Sequence, residues 1–204
     1  MSPEKSKVIV ELYGLPGVGK TTFSEKLKEE YNFEIIPHDQ NKFKLFPLTI
    51  KYPFVVYSWF LLIFKNYQKN KNWKIFKYDL SIFFSSLKKI DDAKKSTQKY
   101  VVVDEGLVQR FLSYSADVHS EQTIKKLLTM GPVGSALVHV DHIEVLKNRY
   151  NPDHVRMESG KDMFESWKTN MHDNLSRVVG VVKSSNVDYL KTSDLDIQSI
   201  LINK

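Results

Sequence analysis

The segment that leaves this chain the fewest folding options is Gly14-Leu15-Pro16-Gly17-Val18-Gly19-Lys20-Thr21, which fits G-x-x-x-x-G-K-[ST] at every fixed position. It follows VIVELY, Val8 to Tyr13, an apolar run that reads as a buried strand. Behind it comes TTFSEKLKEEY, where Phe23, Leu27 and Tyr31 recur every four residues, as on one helix face. Strand, glycine-rich turn and helix in that order make an anion site. Glycines let backbone N–H groups curl around an oxyanion, and the new helix aims the positive end of its dipole at it. Lys20 can then reach the β- and γ-phosphates of a nucleotide, and the Thr21 hydroxyl can ligate Mg2+. The segment predicts a nucleotide-binding protein.

A second apolar run supports the first. Tyr100-Val101-Val102-Val103 ends in Asp104-Glu105-Gly106, the pattern of a central parallel strand whose carboxyl end meets a ligand site. Asp104 is placed to hold Mg2+ directly or through water, and Glu105 stands beside it. A helix is expected from Leu107 to about Ser115, turning Gln109 and Arg110 toward the site or away from it.

Composition narrows the classes less than the motifs do. With 204 residues, 42% hydrophobic and 26% charged, the chain can fill one core with a small insertion. A net charge of +6 suits a nucleotide or sugar phosphate, and equally nucleic acid or an acidic membrane surface. The absence of cysteine removes disulfides, thiolate metal sites and cysteine nucleophiles. The six histidines show no metal-ligand spacing, and His139, between apolar neighbours, reads as a core or edge residue. MSPEKSK lacks the apolar stretch of a secretory signal, so a cytoplasmic location is expected.

Residues 41–90 are the least ordinary region. FKLFPLTIKYPFVVYSWFLLIF and IFKYDLSIFFSSL flank a polar stretch, which predicts a helical hairpin joined near Lys69–Asn72 and inserted between strands. Its longest apolar run is Tyr52 to Phe64, shorter than the ~20 residues a membrane span needs. The hairpin can cap an acceptor pocket, pack on itself, or touch a membrane surface through its Trp, Tyr and Lys residues, although its polar residues resolve into no single face. DDAKKSTQK, residues 91–99, reads as a polar connection.

Further helices are expected over Ser120–Met130, with Gly131-Pro132 as a stop signal, and over Lys161–Val182, where Phe164, Trp167, Met171 and Leu175 form a core stripe. Strands are expected at Phe33–Ile36, Ala136–Asp141 and Val187–Leu190, with a short last helix near Leu195–Leu201. Arg149 and Arg156 flank NPDH and suit a lid, at about 147–160, that closes on a transferring phosphate. No internal repeat or low-complexity stretch interrupts the chain. The expectation is one α/β domain: a doubly wound, five-stranded parallel sheet of the P-loop NTPase type with a helical insertion.

In this order the parts resemble the P-loop kinases of small metabolites, nearest to the thymidylate kinase and deoxynucleoside kinase group. GLPGVGKTT is the most specific segment; DHIEVLKNRY with VRME is similar to that group's arginine lid, FESWKTNMHDNL to its long helix, and VDYLKTSDLDIQSI to its last strand and base-flanking loop. The resemblance implies ATP as donor, bound by Gly14, Leu15, Pro16, Gly17, Val18, Gly19, Lys20, Thr21 and Thr22, with adenine near Lys191-Thr192-Ser193. It also implies lid roles for Arg149 and Arg156, and places Asp39 as the carboxylate against the acceptor. Two departures stand out. Pro16 occupies a position that is acidic in thymidylate kinases, and Asp104-Glu105-Gly106 lacks the arginine of the group's D-R-Y or E-R-S motif.

The reading that follows is an ATP- and Mg2+-dependent kinase of a small molecule. The acceptor is first a nucleoside or nucleoside monophosphate, then a sugar-like alcohol, then a polynucleotide 5′ end. Asp39 or Glu105 would serve as base. No aromatic-interleaved basic cluster favours nucleic acid. A homodimer is left open. The rival is an ATPase switch in which Glu105 polarises water. No N/T-K-x-D segment supports a GTPase.

Overall fold

VIVELY becomes the middle strand of the sheet. The computed structural model describes residues 7–37, 45–141, 161–185 and 188–191. Asp39, Arg149, Arg156, the lid segment 147–160, Thr192, Ser193 and the expected last helix lie outside these residues. The strands are β1 (Val8–Tyr13), β2 (Glu34–Ile35), β3 (Tyr100–Val103), β4 (Ala136–His139) and β5 (Asp188–Lys191). The helices are α1 (Lys20–Tyr31), α2 (Leu45–Lys51), α3 (Pro53–Asn70), α4 (Trp73–Lys95), α5 (Val108–Ser113), α6 (Glu121–Met130) and α7 (Lys161–Lys183). All neighbouring strands are parallel, in the order β2-β3-β1-β4-β5. The expected five-stranded doubly wound sheet is therefore present.

Alternation along β1 divides the molecule into layers. Val8, Val10 and Leu12 point to one face, where Phe23 and Leu27 of α1 cover them. Tyr13 points to the other, into a larger core built from α3 to α7. The register pairs Glu11 with Val103. β3 therefore ends two residues short of the end of β1, and Asp104-Glu105 emerges beside the glycine-rich turn.

The helical hairpin turns where expected, and its cause is local. Lys71, at φ 52, ends α3, and the Asn72 side chain then caps α4 by accepting from the amides of Lys74 and Ile75. Ser120 caps α6 in the same way, accepting from Thr123 N. One expectation needs correction. Residues 91–95 are not a connection: α4 continues through them, because Asp91 is buried against Lys51, Lys95 and the Tyr52 hydroxyl (2.7 Å), while Asp92 pairs with Lys88. Those partners keep a polar run helical. Burial works against ionised Asp91, yet its hydrogen bonds to Lys51, Lys95 and Tyr52 prevail and hold it down at about 2.

Nor does the hairpin pack only on itself. Trp59 is fully buried, with its ring 5.8 Å from Phe83, 4.8 Å from Phe111 and 6.0 Å from Tyr114. These contacts join α3 to α4, α5 and the main core. Trp59→Ala is expected to cost about 3–5 kcal/mol and to lower the single urea transition of the whole molecule. A separate early transition of the hairpin alone would contradict that.

Candidate functional site

The turn after β1 is shaped by its glycines. Gly17 and Gly19 stand at φ 80 and φ 90, the left-handed region that a side chain disfavours. Gly19 leads directly into α1, whose N-terminus has no side-chain cap and no acidic residue in its first turn. Its amides and dipole are thus left to an anion from outside the helix. Lys20 folds back over the turn, donating to the carbonyls of Gly14 and Leu15 at 3.1 Å each. Burial depresses its ammonium, against the pull of Glu105 and Asp104. Val18 is buried beneath the loop, while Pro16, Gly17, Thr21 and Thr22 are exposed.

The end of β3 brings the carboxylates to this turn. Asp104 Oδ1 lies 2.6 Å from Lys89 Nζ, and the Lys89 side chain, from α4, is 8% exposed. Glu105 is half-exposed and 3.0 Å from Arg110 Nη2. Burial acts to raise the Glu105 carboxyl, but Arg110 and Lys20 outweigh it and hold it below the ordinary carboxylate range. From α4, Ser86 Oγ donates to the Glu105 carbonyl at 3.1 Å, so Ser86 and Lys89 together fix the two-carboxylate turn.

Gln109 and Arg110 both turn inward. Gln109 Oε1 accepts from the Gly14 amide at 3.0 Å, anchoring the first residue of the phosphate-loop pattern, and Arg110 is buried beside Glu105. Arg110 thus supplies an arginine to the carboxylate turn from one and a half helical turns downstream. Beneath them lies Glu11. Its Oε1 accepts from Val108 N at 2.7 Å and its Oε2 from Gly134 N at 3.0 Å, so one side chain ties β1 to the start of α5 and to the turn before β4. A Cβ on Gly106 would overlap that carboxylate, which explains the glycine after Asp104-Glu105.

Of the expected site residues, Lys20, Asp104 and Glu105 come together at the turn. Lys89 and Glu11 were not found from sequence. A signal was there for each: Glu11 interrupts an apolar strand, and Ser86 and Lys89 lie on the buried stripe of α4 that carries Phe83 and Ile90. The side chains here that could hold a metal offer hard oxygen, the Thr21 hydroxyl and the Asp104 carboxylate, which would suit Mg2+ better than a softer metal. No group of three or more His, Cys, Asp or Glu stands ready for a metal among the described residues. A Mg2+ ion bound largely through phosphates and water does not require one.

No protein-family profile matches the sequence, and no curated protein matches it. The structure is similar to deoxyadenosine kinase from M. mycoides. Against that enzyme with bound dATP the TM-score is 0.52 at 12% identity, covering 97% of this chain and 100% of the other. Against its complex with the products dCMP and a flexible dCDP the values are 0.52 and 12%, covering 96% and 95%. The chain therefore has a P-loop α/β fold of the deoxynucleoside kinase kind.

Proposed function

We propose that this protein transfers the γ-phosphoryl group of ATP, with Mg2+, to a small acceptor, first of all a nucleoside or nucleoside monophosphate. The observation that carries this reading is the meeting of Lys20 and an uncapped helix N-terminus with the Glu105–Arg110 pair. The nucleoside acceptor is supported by the fold shared with deoxyadenosine kinase. The backbone of residues 14–19 and the Lys20 ammonium would cradle the β- and γ-phosphates. Thr21 and Asp104 would hold Mg2+, which neutralises phosphate charge when bound. Arg110 would meet the transferring group from the acceptor side, joined by Arg149 and Arg156. Glu105, held ionised, is a weak proton acceptor; its role is to orient Arg110 and the acceptor hydroxyl, leaving proton transfer to Asp39.

The test is ADP formation from Mg·ATP with pooled nucleosides, nucleoside monophosphates, sugars or 5′-hydroxyl oligonucleotides. One pool should raise turnover well above the background without acceptor. Equal rates with every pool and with none would sink the acceptor reading and favour an ATPase switch.

Lys89 offers a finer check. It is the buried cation that aims Asp104, and Lys89→Met removes the charge while keeping the stem. On this reading kcat falls about ten- to a hundredfold, as for supporting residues around a metal site, with KM for ATP little changed. Steady-state kinetics against ATP at saturating acceptor would read both values.

A further inference from the structure

Helix α3 is apolar on both sides, and only one side is covered. Val55, Trp59, Leu62 and Ile63 face the core. On the opposite side Phe54, Tyr57, Leu61 and Phe64 follow at intervals of three and four, extended by Ile50 of α2 and Trp73 of α4. These six side chains are 40% to 76% exposed. At about 200 Å2 each when fully exposed they present on the order of 700 Å2 of surface, more than the largest patch of an ordinary soluble monomer. The face is held in shape by an aromatic chain through Phe60, Phe64, Tyr67 and Trp73.

The charge around this face is mostly positive. Residues 45–78 contain six lysines and no Asp or Glu, and all six lysines are exposed. Acids from elsewhere in the chain reach some of them: buried Asp91 lies beside Lys51, and Asp117 within 3.6 and 3.7 Å of Lys65 and Lys69. The balance stays positive. Beside the apolar stripe a groove of about 360 Å3 runs between α3 and α6, where Lys65, Lys126, Ser120 and Thr123 stand next to Tyr57 and Leu61. Cations and hydroxyls at the edge of an apolar shelf match the chemistry of an anionic lipid headgroup above its acyl chains.

We propose that the α3 face docks on an anionic membrane surface, lying in the plane of the interface with its aromatics among the headgroups. Among the described residues no helix is long and apolar enough to cross a bilayer, so the contact is peripheral. A second copy of the chain fits the face less well. A two-fold axis through it would bring two lysine sets together with no acid on the segment to answer them. An anionic bilayer satisfies the apolar face and the lysines at once.

The experiment is co-sedimentation of the full chain with phosphatidylcholine vesicles, with or without phosphatidylserine. The expected result is pelleting with the phosphatidylserine vesicles, at least about tenfold weaker on phosphatidylcholine alone, and reversal in ~1 M NaCl as charges are screened. Phe54→Ser with Leu61→Ser should lower the partition at least about tenfold. Both side chains are exposed, so the circular dichroism and melting temperature should hold. Each lysine changed to glutamine should lower it about fivefold. Protein left in the supernatant with phosphatidylserine vesicles overturns the proposal, and so does equal pelleting on both lipids. A concentration-dependent dimer that the double variant splits, without vesicle binding, would assign the face to a contact between copies instead.

Discussion

Replacing Lys20 with alanine should lower kcat/KM for Mg·ATP by about a hundred- to a thousandfold and leave the melting temperature unchanged or slightly higher. Both halves of that result come from the same burial. Lys20 is 8% exposed and bonded to two carbonyls of its own loop, and the missing water depresses its ammonium below the ordinary lysine value. A charge held there costs the folded state, so alanine relieves that cost while giving up the two hydrogen bonds. The same poor solvation makes the charge strong toward phosphate oxygens, on the scale of one preorganised donor at a developing charge. Lys20→Met, which keeps the stem, should lose the same activity. Steady-state kinetics and thermal denaturation on the three proteins would check it. A loss of activity that tracks a loss of stability would remove Lys20 from the catalytic account.

The phosphate loop was legible because its information is local. Spacing alone sets where the turn needs left-handed backbone and where the helix begins, and Gly17, Gly19 and Lys20 are placed accordingly. The hairpin turn at Lys71-Asn72 was legible for the same reason. Polarity, by contrast, misled where it was taken for exposure. Asp91 is buried because Lys51, forty residues away, pairs with it, and no window of sequence contains both. Lys89 and Glu11 were not legible for that reason too, since their partners lie just after β3, on α5 and in the turn before β4. The direction of the insertion belongs to this class. α3 carries apolar residues all round, so its pattern cannot say which side the core takes; the contacts of Trp59 decide it.

Glu11→Ala should destabilise the fold as much as Trp59→Ala, by about 3–5 kcal/mol in urea denaturation. The substitution leaves two buried amides, Val108 N and Gly134 N, without an acceptor, and opens a void under α5. Glu11→Gln separates the hydrogen bonds from the charge. Burial pushes the Glu11 carboxyl from 4.5 up to about 7, although its two amide donors and Arg110 pull the other way. Below pH 4.5 the group is protonated folded and unfolded alike, and its titration contributes nothing. Between 4.5 and about 7 the folded state binds the proton that the unfolded chain has lost, so stability falls as pH rises. The full difference is on the order of 3 kcal/mol above that window. Glutamine cannot titrate, and its amide can satisfy only one of the two N–H donors. The Gln variant should be about 1–3 kcal/mol less stable at low pH, with the downward slope between pH 4.5 and 7 removed. Denaturation midpoints at half-unit pH steps would measure this. If wild type and Glu11→Gln keep parallel profiles, the proton is not on Glu11. If only the slope disappears, Glu11 joins the start of α5, and with it Arg110, to the central strand through a carboxylate that is half protonated near neutral pH.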